Sequence, residues 1–199
     1  MSFAIINDLT TNVDWSEINQ ATLDTLFMLG FAVLFSTLIG IPVGLILFLS
    51  GKGRLLQNRW VYNILSFIIN VLRSVPFIIL LIVMIPTTTM LVGTSLGAKG
   101  TIPPLVVGAF PFFFFFFENA LKEIDDGIFH MAESCGASTW QIIWHILLPE
   151  IMPSLIASIT VTAIALVSYT AMAGTVGGGG LGDLAIRYGY QRFQTDVML

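Results

Sequence analysis

Charge is what this sequence most lacks. Only 10% of its 199 residues are Asp, Glu, Lys or Arg, against about 25% in an ordinary soluble domain. So little charge leaves too little polar surface to keep a water-soluble globule dispersed. With 56% hydrophobic residues and a mean hydropathy of +0.90, the bilayer is the natural solvent. Basic residues are scarcer still: eight Lys and Arg against twelve acids give a net charge of -4. That balance excludes the basic footprint of a nucleic-acid binder. A single cysteine, Cys135, excludes an intrachain disulfide and a cysteine-based metal cluster. The two histidines, His130 and His145, are too far apart to form an i, i+4 metal pair. Residues 1–20 hold no Lys or Arg, whereas a cleavable signal peptide opens on basic residues. The first apolar stretch is therefore expected to stay as a membrane helix.

What is present is long apolar runs. A membrane helix needs roughly 20 mostly apolar residues, and four stretches read as such, at about 22–49, 60–85, 102–117 and 151–175, the third of them short. None alternates apolar and polar residues as a β-barrel strand would. The expected fold is all-α, a polytopic transmembrane bundle forming a single domain over residues 1–199. Gly51-Lys52-Gly53 should end the first helix. Pro103 and Pro104 suit the first turn of the third, where a missing N–H costs little. Pro42 and Pro76 lie inside spans and should kink them. The six consecutive phenylalanines Phe112 to Phe117 read as lipid-exposed bulk with some packing. Lys52, Arg54 and Arg59 fall between the first two spans, while the loop from Pro86 to Thr101 has only Lys99. By the positive-inside rule this puts the first loop in the cytoplasm and the amino terminus outside. The chain turns apolar at Val197-Met198-Leu199, which suggests a further, fifth span missing from this sequence.

The segment from Glu118 to Glu150 is too long and too patterned for a simple turn. Ser138 is placed to cap a helix, with Gln141 three residues later as in a capping box. Trp140, Ile142, Ile143, Ile146 and Leu147 supply apolar positions over the following turns. Gly136 permits a tight bend before this helix, and Pro149 should end it. The expectation is a short helical hairpin in the cytoplasm, with an apolar edge that needs a partner. Asp125-Asp126 reads as solvated loop surface.

These residues resemble a known pattern. Permeases of bacterial ATP-binding-cassette importers carry Glu-Ala-Ala, then a Gly, then Ile-x-Leu-Pro ending thirteen residues after that Gly. Here Gly136-Ala137 and Ile146-Leu147-Leu148-Pro149 stand at the matching distance. His130-Met131-Ala132 occupies the Glu-Ala-Ala positions, with Glu133 one turn away. Further segments resemble the methionine-importer permeases: Arg73 to Leu81, Met84-Ile85-Pro86, Val92 to Ser95, Glu118 to Leu121, and Tyr169 to Met172 running into Gly177-Gly178-Gly179-Gly180-Leu181-Gly182. The resemblance covers nearly all residues from about 25 to 199. It implies a homodimer of five-helix subunits, two ATPase subunits, and an external binding protein, periplasmic or lipid-anchored, in the bacterial inner membrane. It also implies that the hairpin is the coupling helix, which assigns ATPase contact to His130, Met131, Ala132, Gly136, Ala137, Ser138, Ile146, Leu148 and Pro149.

Other residues are weighed singly. Arg73, near the middle of the second span, costs about 2.5–3.5 kcal/mol to insert and should face protein, a freed carbonyl such as that of Leu72, or a water path. With Ser74, Pro76, Tyr169 and Met172 it forms the candidate pathway or gate. Gly177, Gly178, Gly179, Gly180 and Gly182 lack the Lys-Ser/Thr of a phosphate-binding loop. They read as a close-packed turn at the outer mouth. No triad, paired carboxylates or metal cluster is placed for catalysis. The chain is expected to be no enzyme and to bind no cofactor, with ATP and magnesium on a partner. A gradient-driven carrier would instead be expected to hold carboxylates inside its spans, and these spans hold almost none.

Overall fold

A computed structural model of the chain describes residues 14–54 and 56–193. The side chains of Asp126, His130 and Glu133 are outside that description. The expectations for the first thirteen residues and for Val197-Met198-Leu199 likewise fall outside the described residues. Among the described residues there are helices and turns and no strand.

Helix α1 (Trp15–Ser50) is 36 residues long and runs through Pro42 without a break. It opens at Asp14, whose carboxylate accepts hydrogen bonds from the Ser16 N–H and hydroxyl at 2.9 and 2.7 Å. Helix α2 (Arg59–Ser74) is capped by Asn58, whose side chain accepts from the N–H groups of Trp60 and Val61. Helices α3 (Phe77–Val83) and α4 (Ile85–Val92) follow, then α5 (Gly97–Lys122) and α6 (Asp126–Ser134). Helix α7 (Thr139–Gly174) is again 36 residues. A short α8 (Gly180–Leu184) leads into a widened turn, Ala185–Gln191. Helices α1, α5 and α7 are long and apolar enough to cross a membrane, and α2 with α3 would make a fourth, broken span.

The expected second span is not one helix. Its two halves meet at 103° across Ser74 to Pro76. Pro76 has no N–H to donate, and its ring disfavours helical geometry in the residue before it. Val75 is accordingly extended, at φ -82 and ψ 123. Part of the loop expected after this span is itself helical, as α4. Helix α5 starts at Gly97, so Pro103 and Pro104 sit in its second turn and not its first. The earlier start is fixed from outside the helix: the Gly97 N–H donates to the Gly177 carbonyl at 2.9 Å. Pro149 does not end the hairpin helix either. Helix α7 passes through it, and the turn just before, Ile143–Leu147, widens to π geometry. A prolyl ring clashes with the carbonyl four residues back, and a widened turn is one way a helix relieves that.

The chain forms two compact units. One comprises Val33–Val75 and Val107–Ile164. Its core joins Phe48 and Leu49 of α1, Phe113, Phe117 and Leu121 of α5, Phe129 of α6, and Ile142, Leu147 and Ile151 of α7. Gly40 and Gly44 of α1 lie one helical turn apart and form a notch for two of these rings. A Cβ at Gly40 would stand 2.3 Å from Phe113 Cδ1, and one at Gly44 would stand 2.5 Å from Phe117 Cδ1. Small residues at this spacing let apolar helices approach closely where no hydrophobic drive between them exists. The phenylalanine run is thus mostly packing: Phe113, Phe114 and Phe117 are buried and Phe115 is 37% exposed. Six identical residues point in every direction around the helix, and the notch selects which face is buried. The other unit, over residues 14–32, 76–106 and 165–193, is built around the glycine-rich turn and the Phe77–Tyr169 pair.

Filling the notch should be costly. Gly44→Ala forces the Phe117 ring aside and is expected to destabilise the protein by about 1–3 kcal/mol, the usual range for overpacking. Thermal unfolding in detergent measures this, and a Gly44→Ala, Phe117→Leu double variant should recover part of the loss.

Candidate functional site

The segment after α5 folds into a hairpin closed by two caps. At the end of α6, Gly136 takes the left-handed conformation, φ +74. The Ala137 N–H then reaches back to the Ala132 carbonyl at 3.1 Å. This is the six-to-one bond of a Schellman closure, which places a glycine at the left-handed position. Nothing lies within 4 Å of where a Gly136 Cβ would stand, so the demand there is conformational, not steric. One residue later Ser138 opens α7 with a complete capping box. The Ser138 hydroxyl accepts from the Gln141 N–H at 3.4 Å, and the Gln141 side chain accepts from the Ser138 N–H at 2.8 Å. The corner of the hairpin is therefore fixed by bonds spanning five residues or fewer.

The hairpin has two unlike faces. Inward, Phe129, Ala132, Ile142, Ile143 and Leu147 are buried in the core with Phe48 and Leu121. Arg54 adds a clamp, its guanidinium lying 4.4 Å from the Phe48 ring centre and 4.9 Å from that of Phe129. Outward, Met131, Trp140 and Trp144 are exposed, the two tryptophans at 69% and 61%. Their rings stack at 6.4 Å with 17° between planes.

Of the residues the sequence assigned to coupling, Ala132 is buried and Met131 exposed. Ala137, Ile146 and Leu148 pack half-buried against the core, Ser138 is the exposed cap, and Pro149 is exposed. The structure gives no placement for the His130 side chain. The outward pair is what sequence reading missed. Trp140 stood among the apolar helix positions and Trp144 was passed over. The four-residue spacing of two tryptophans beside a buried isoleucine run was the available signal.

The candidate pathway residues divide between the two units. In the first, Arg73 is exposed and lies 4.3 Å over the Phe115 ring. The Leu72 carbonyl, which sequence reasoning offered to Arg73, accepts from the Val75 N–H at 3.3 Å instead. Breaking the helix at Pro76 brings Val75 round to that carbonyl and leaves Arg73 an aromatic face. Ser74 donates to the Asn70 carbonyl at 2.8 Å. In the second unit the Pro76 carbonyl starts α3 by accepting from Ile79 and Leu80. Phe77 and Tyr169 stack in parallel, centroids 4.5 Å apart and planes 1° apart. Met172 is exposed one turn beyond.

The glycines of this second unit make a close-packed turn. Gly178 donates to the Ala173 carbonyl at 2.9 Å, and its own carbonyl accepts from Thr101 Oγ1 at 3.3 Å. Gly177 holds the start of α5 through the bond to Gly97. Gly179 and Gly180 both have positive φ, and the Leu181 N–H donates to Thr25 Oγ1 at 2.9 Å. A Cβ on Gly182 would stand 2.5 Å from the Ala171 carbonyl oxygen. Gly174, not singled out from sequence, is tighter still, 2.2 Å from the Asp183 nitrogen. Backbone cannot move aside as a side chain can.

Beyond this turn, Arg187 binds Asp183 at 2.8 Å and Glu17 at 3.1 Å. Burial works against the Arg187 charge, but the bonds and attraction of Asp183 and Glu17 outweigh it and push its pKa up. The Tyr188 hydroxyl donates to Glu17, and that bond, then burial, then the Glu17 charge raise the phenol pKa. Among the described residues no group of three or more His, Cys, Asp or Glu is placed to hold a metal ion.

The tyrosine shift has a definite sign. A pKa raised on folding means a contribution to stability that is complete below the unfolded value of about 10 and lost as pH rises through the folded value. The phenolate absorbance of the protein minus that of a Tyr188→Phe variant should report a titration above the usual tyrosine range. Glu17→Gln should bring that titration back down, and an unmoved curve would contradict the assignment.

A family model described as binding-protein-dependent transport system inner membrane component matches residues 36–197. The probable D-methionine transport system permease protein MetI of Pasteurella multocida is 52% identical over 178 residues, 89% of this chain and 82% of the relative. The methionine import system permease protein MetP of Bacillus subtilis (strain 168) is 48% identical over 186 residues, 94% of this chain and 84% of the relative. Among solved structures, a chain of the MetNI methionine ABC transporter in an inward-facing conformation superposes with a TM-score of 0.87. It is 41% identical, over 92% of this chain and 86% of that one. With the apolar spans, the two-faced hairpin and these matches in hand, the chain belongs to the family of inner-membrane components of binding-protein-dependent transport systems.

Proposed function

We propose that this protein is the membrane-spanning subunit of an ATP-driven importer of methionine in a bacterial inner membrane. It works as a homodimer with two ATPase subunits on the cytoplasmic side and a binding protein, periplasmic or lipid-anchored, on the other. The substrate reading rests on relatives whose names specify methionine at 43% identity and above. ATP and magnesium belong to the partner ATPase. The glycine turn of this chain has no Lys-Ser/Thr after it to hold phosphates.

One observation carries the coupling role: the stacked, exposed Trp140–Trp144 pair stands on a hairpin whose other face is built into the core. Tryptophan is enriched among residues that dominate protein interfaces. A push on this pair is passed through Ile142, Ile143 and Leu147 to Phe48 and Leu121 at the ends of α1 and α5, because packed cores move as bodies and do not deform continuously. Lys52 and Arg54 beyond α1, with Arg59 at the start of α2, favour the cytoplasm for this end and the outside for the amino terminus. Arg73, Ser74, Pro76, Tyr169 and Met172 would then lie along the substrate route, with the glycine turn at its outer mouth.

The test is ATP-dependent uptake of labelled methionine by proteoliposomes holding the permease, its ATPase and binding protein. A Trp140→Ala, Trp144→Ala variant leaves the two caps and the inner face intact. It should lose most uptake and bind the ATPase at least ~30-fold more weakly, as removal of an interface hot spot does. Full uptake by that variant would sink the coupling role. Absence of ATP-dependent uptake in the unaltered complex would sink the importer.

A further inference from the structure

Beside the hairpin the same unit holds a cleft that shares only Phe48 and Arg54 with the hairpin's packing. It has a volume of about 570 Å³ and is walled by three helix ends. The end of α1 and the turn after it give Phe48, Ser50, Gly51, Lys52, Arg54 and Gln57. The start of α2 gives Arg59, Tyr62 and Asn63, and the end of α5 gives Glu118 and Lys122. The lining thus carries four cations and one carboxylate. That carboxylate is engaged by one of the cations, Lys122 binding Glu118 at 2.7 Å. Arg54 is held over Phe48 and Phe129. Lys52 and Arg59 are exposed at the rim.

In a chain with so few basic residues, placing four around one cleft makes a site for an anion. Its position identifies the kind. Helices that carry membrane spans end here, so the cleft lies at the level of lipid headgroups. Trp60, 79% exposed, opens α2 beside it, and tryptophan favours that level. From Trp60 the exposed residues Ile64, Phe67, Ile68 and Val71 run down one side of α2 at helical spacing. A molecule with a phosphate in the cleft would find an apolar track for its chains directly next to it. Basic pockets between transmembrane helices hold phospholipid headgroups by this combination.

We propose that the cleft formed by Lys52, Arg59, Tyr62, Asn63 and Lys122 binds the phosphate headgroup of an anionic phospholipid, whose acyl chains lie along the exposed flank of α2. The Asn58 cap leaves Arg59 on the first turn of that helix, where the helix dipole adds to the attraction for phosphate. The proposal requires only that the chain spans the membrane and is independent of its substrate.

The experiment is native mass spectrometry of the purified full chain, titrated in detergent with phosphatidylglycerol and, separately, with phosphatidylcholine. The unaltered protein should retain phosphatidylglycerol selectively. Lys52→Gln with Arg59→Gln should weaken that binding about 30-fold, on the usual contribution of each basic residue near an anionic headgroup. Lys99→Gln, a cation outside the cleft, should change nothing, and Arg59→Lys should retain most of the binding. Elution as a single species shows that each variant is folded. Equal retention of the two lipids, or unchanged binding in the double variant, overturns the proposal. Displacement of phosphatidylglycerol by glycerol phosphate at comparable concentration also overturns it, since that result would make the cleft a site for a soluble phosphate.

Discussion

The packing of Phe113 and Phe117 into the Gly40–Gly44 notch is the contact on which the rest of this unit depends. Lipid tails are as apolar as phenylalanine, so burial from water does not draw two such helices together. Close fit does, and fit requires that one partner lack side chains where the other has rings. Within this unit the notch fixes both the separation and the register of α1 against α5. Once that register is set, Phe48 and Leu49 arrive beside Leu121, and the hairpin has a floor to pack on. The clamp of Arg54 over Phe48 and Phe129 follows from the same alignment.

With charge so scarce, the surroundings of the arginines stand out. Arg54, Arg73, Arg187 and Arg192 all lie over aromatic rings. An aromatic face offers a guanidinium electrostatic stabilisation without introducing a second charge. Arg187 adds two carboxylates, Asp183 and Glu17, and so ties the segment after α8 to the first turns of α1. Glu17 stands in the first turn of α1 and Glu118 one turn from the end of α5, while Asp24 and Glu150 lie within the first third of α1 and α7.

Much of this was legible in the sequence, for reasons that can be named. Apolar runs of membrane length stand out by composition alone, and the Ser138–Gln141 capping box is a local pattern with a local cause. The Gly136-to-Pro149 spacing marks the hairpin in the sequence itself. What sequence reading misplaced were mostly boundaries decided by distant partners. Helix α5 begins where Gly97 meets Gly177, eighty residues away in the chain. Pro149 looked like a stop because the π turn before it, which lets the helix continue, leaves no sequence mark. Pro76 was expected to kink a span, and a bend of 103° instead divides it into two helices. In the phenylalanine run no residue differs from its neighbour, so only the opposing notch selects the buried face. The tight approaches of Gly174 and Gly182 to backbone were likewise invisible, since a glycine is silent about what lies opposite it.

The two caps at the hairpin corner bear on how the protein meets other molecules. Their bonds join residues three to five apart in sequence, so the corner closes through local contacts, which are the quickest to form and cost little loop entropy. Whatever docks on Trp140 and Trp144 therefore finds them already stacked and held. The free energy of that encounter is not diminished by ordering the segment, as it is when a disordered stretch folds on binding. Under the proposed coupling role, recognition would be the meeting of a finished surface with its complement, its rate set by collision and orientation and not by a folding step.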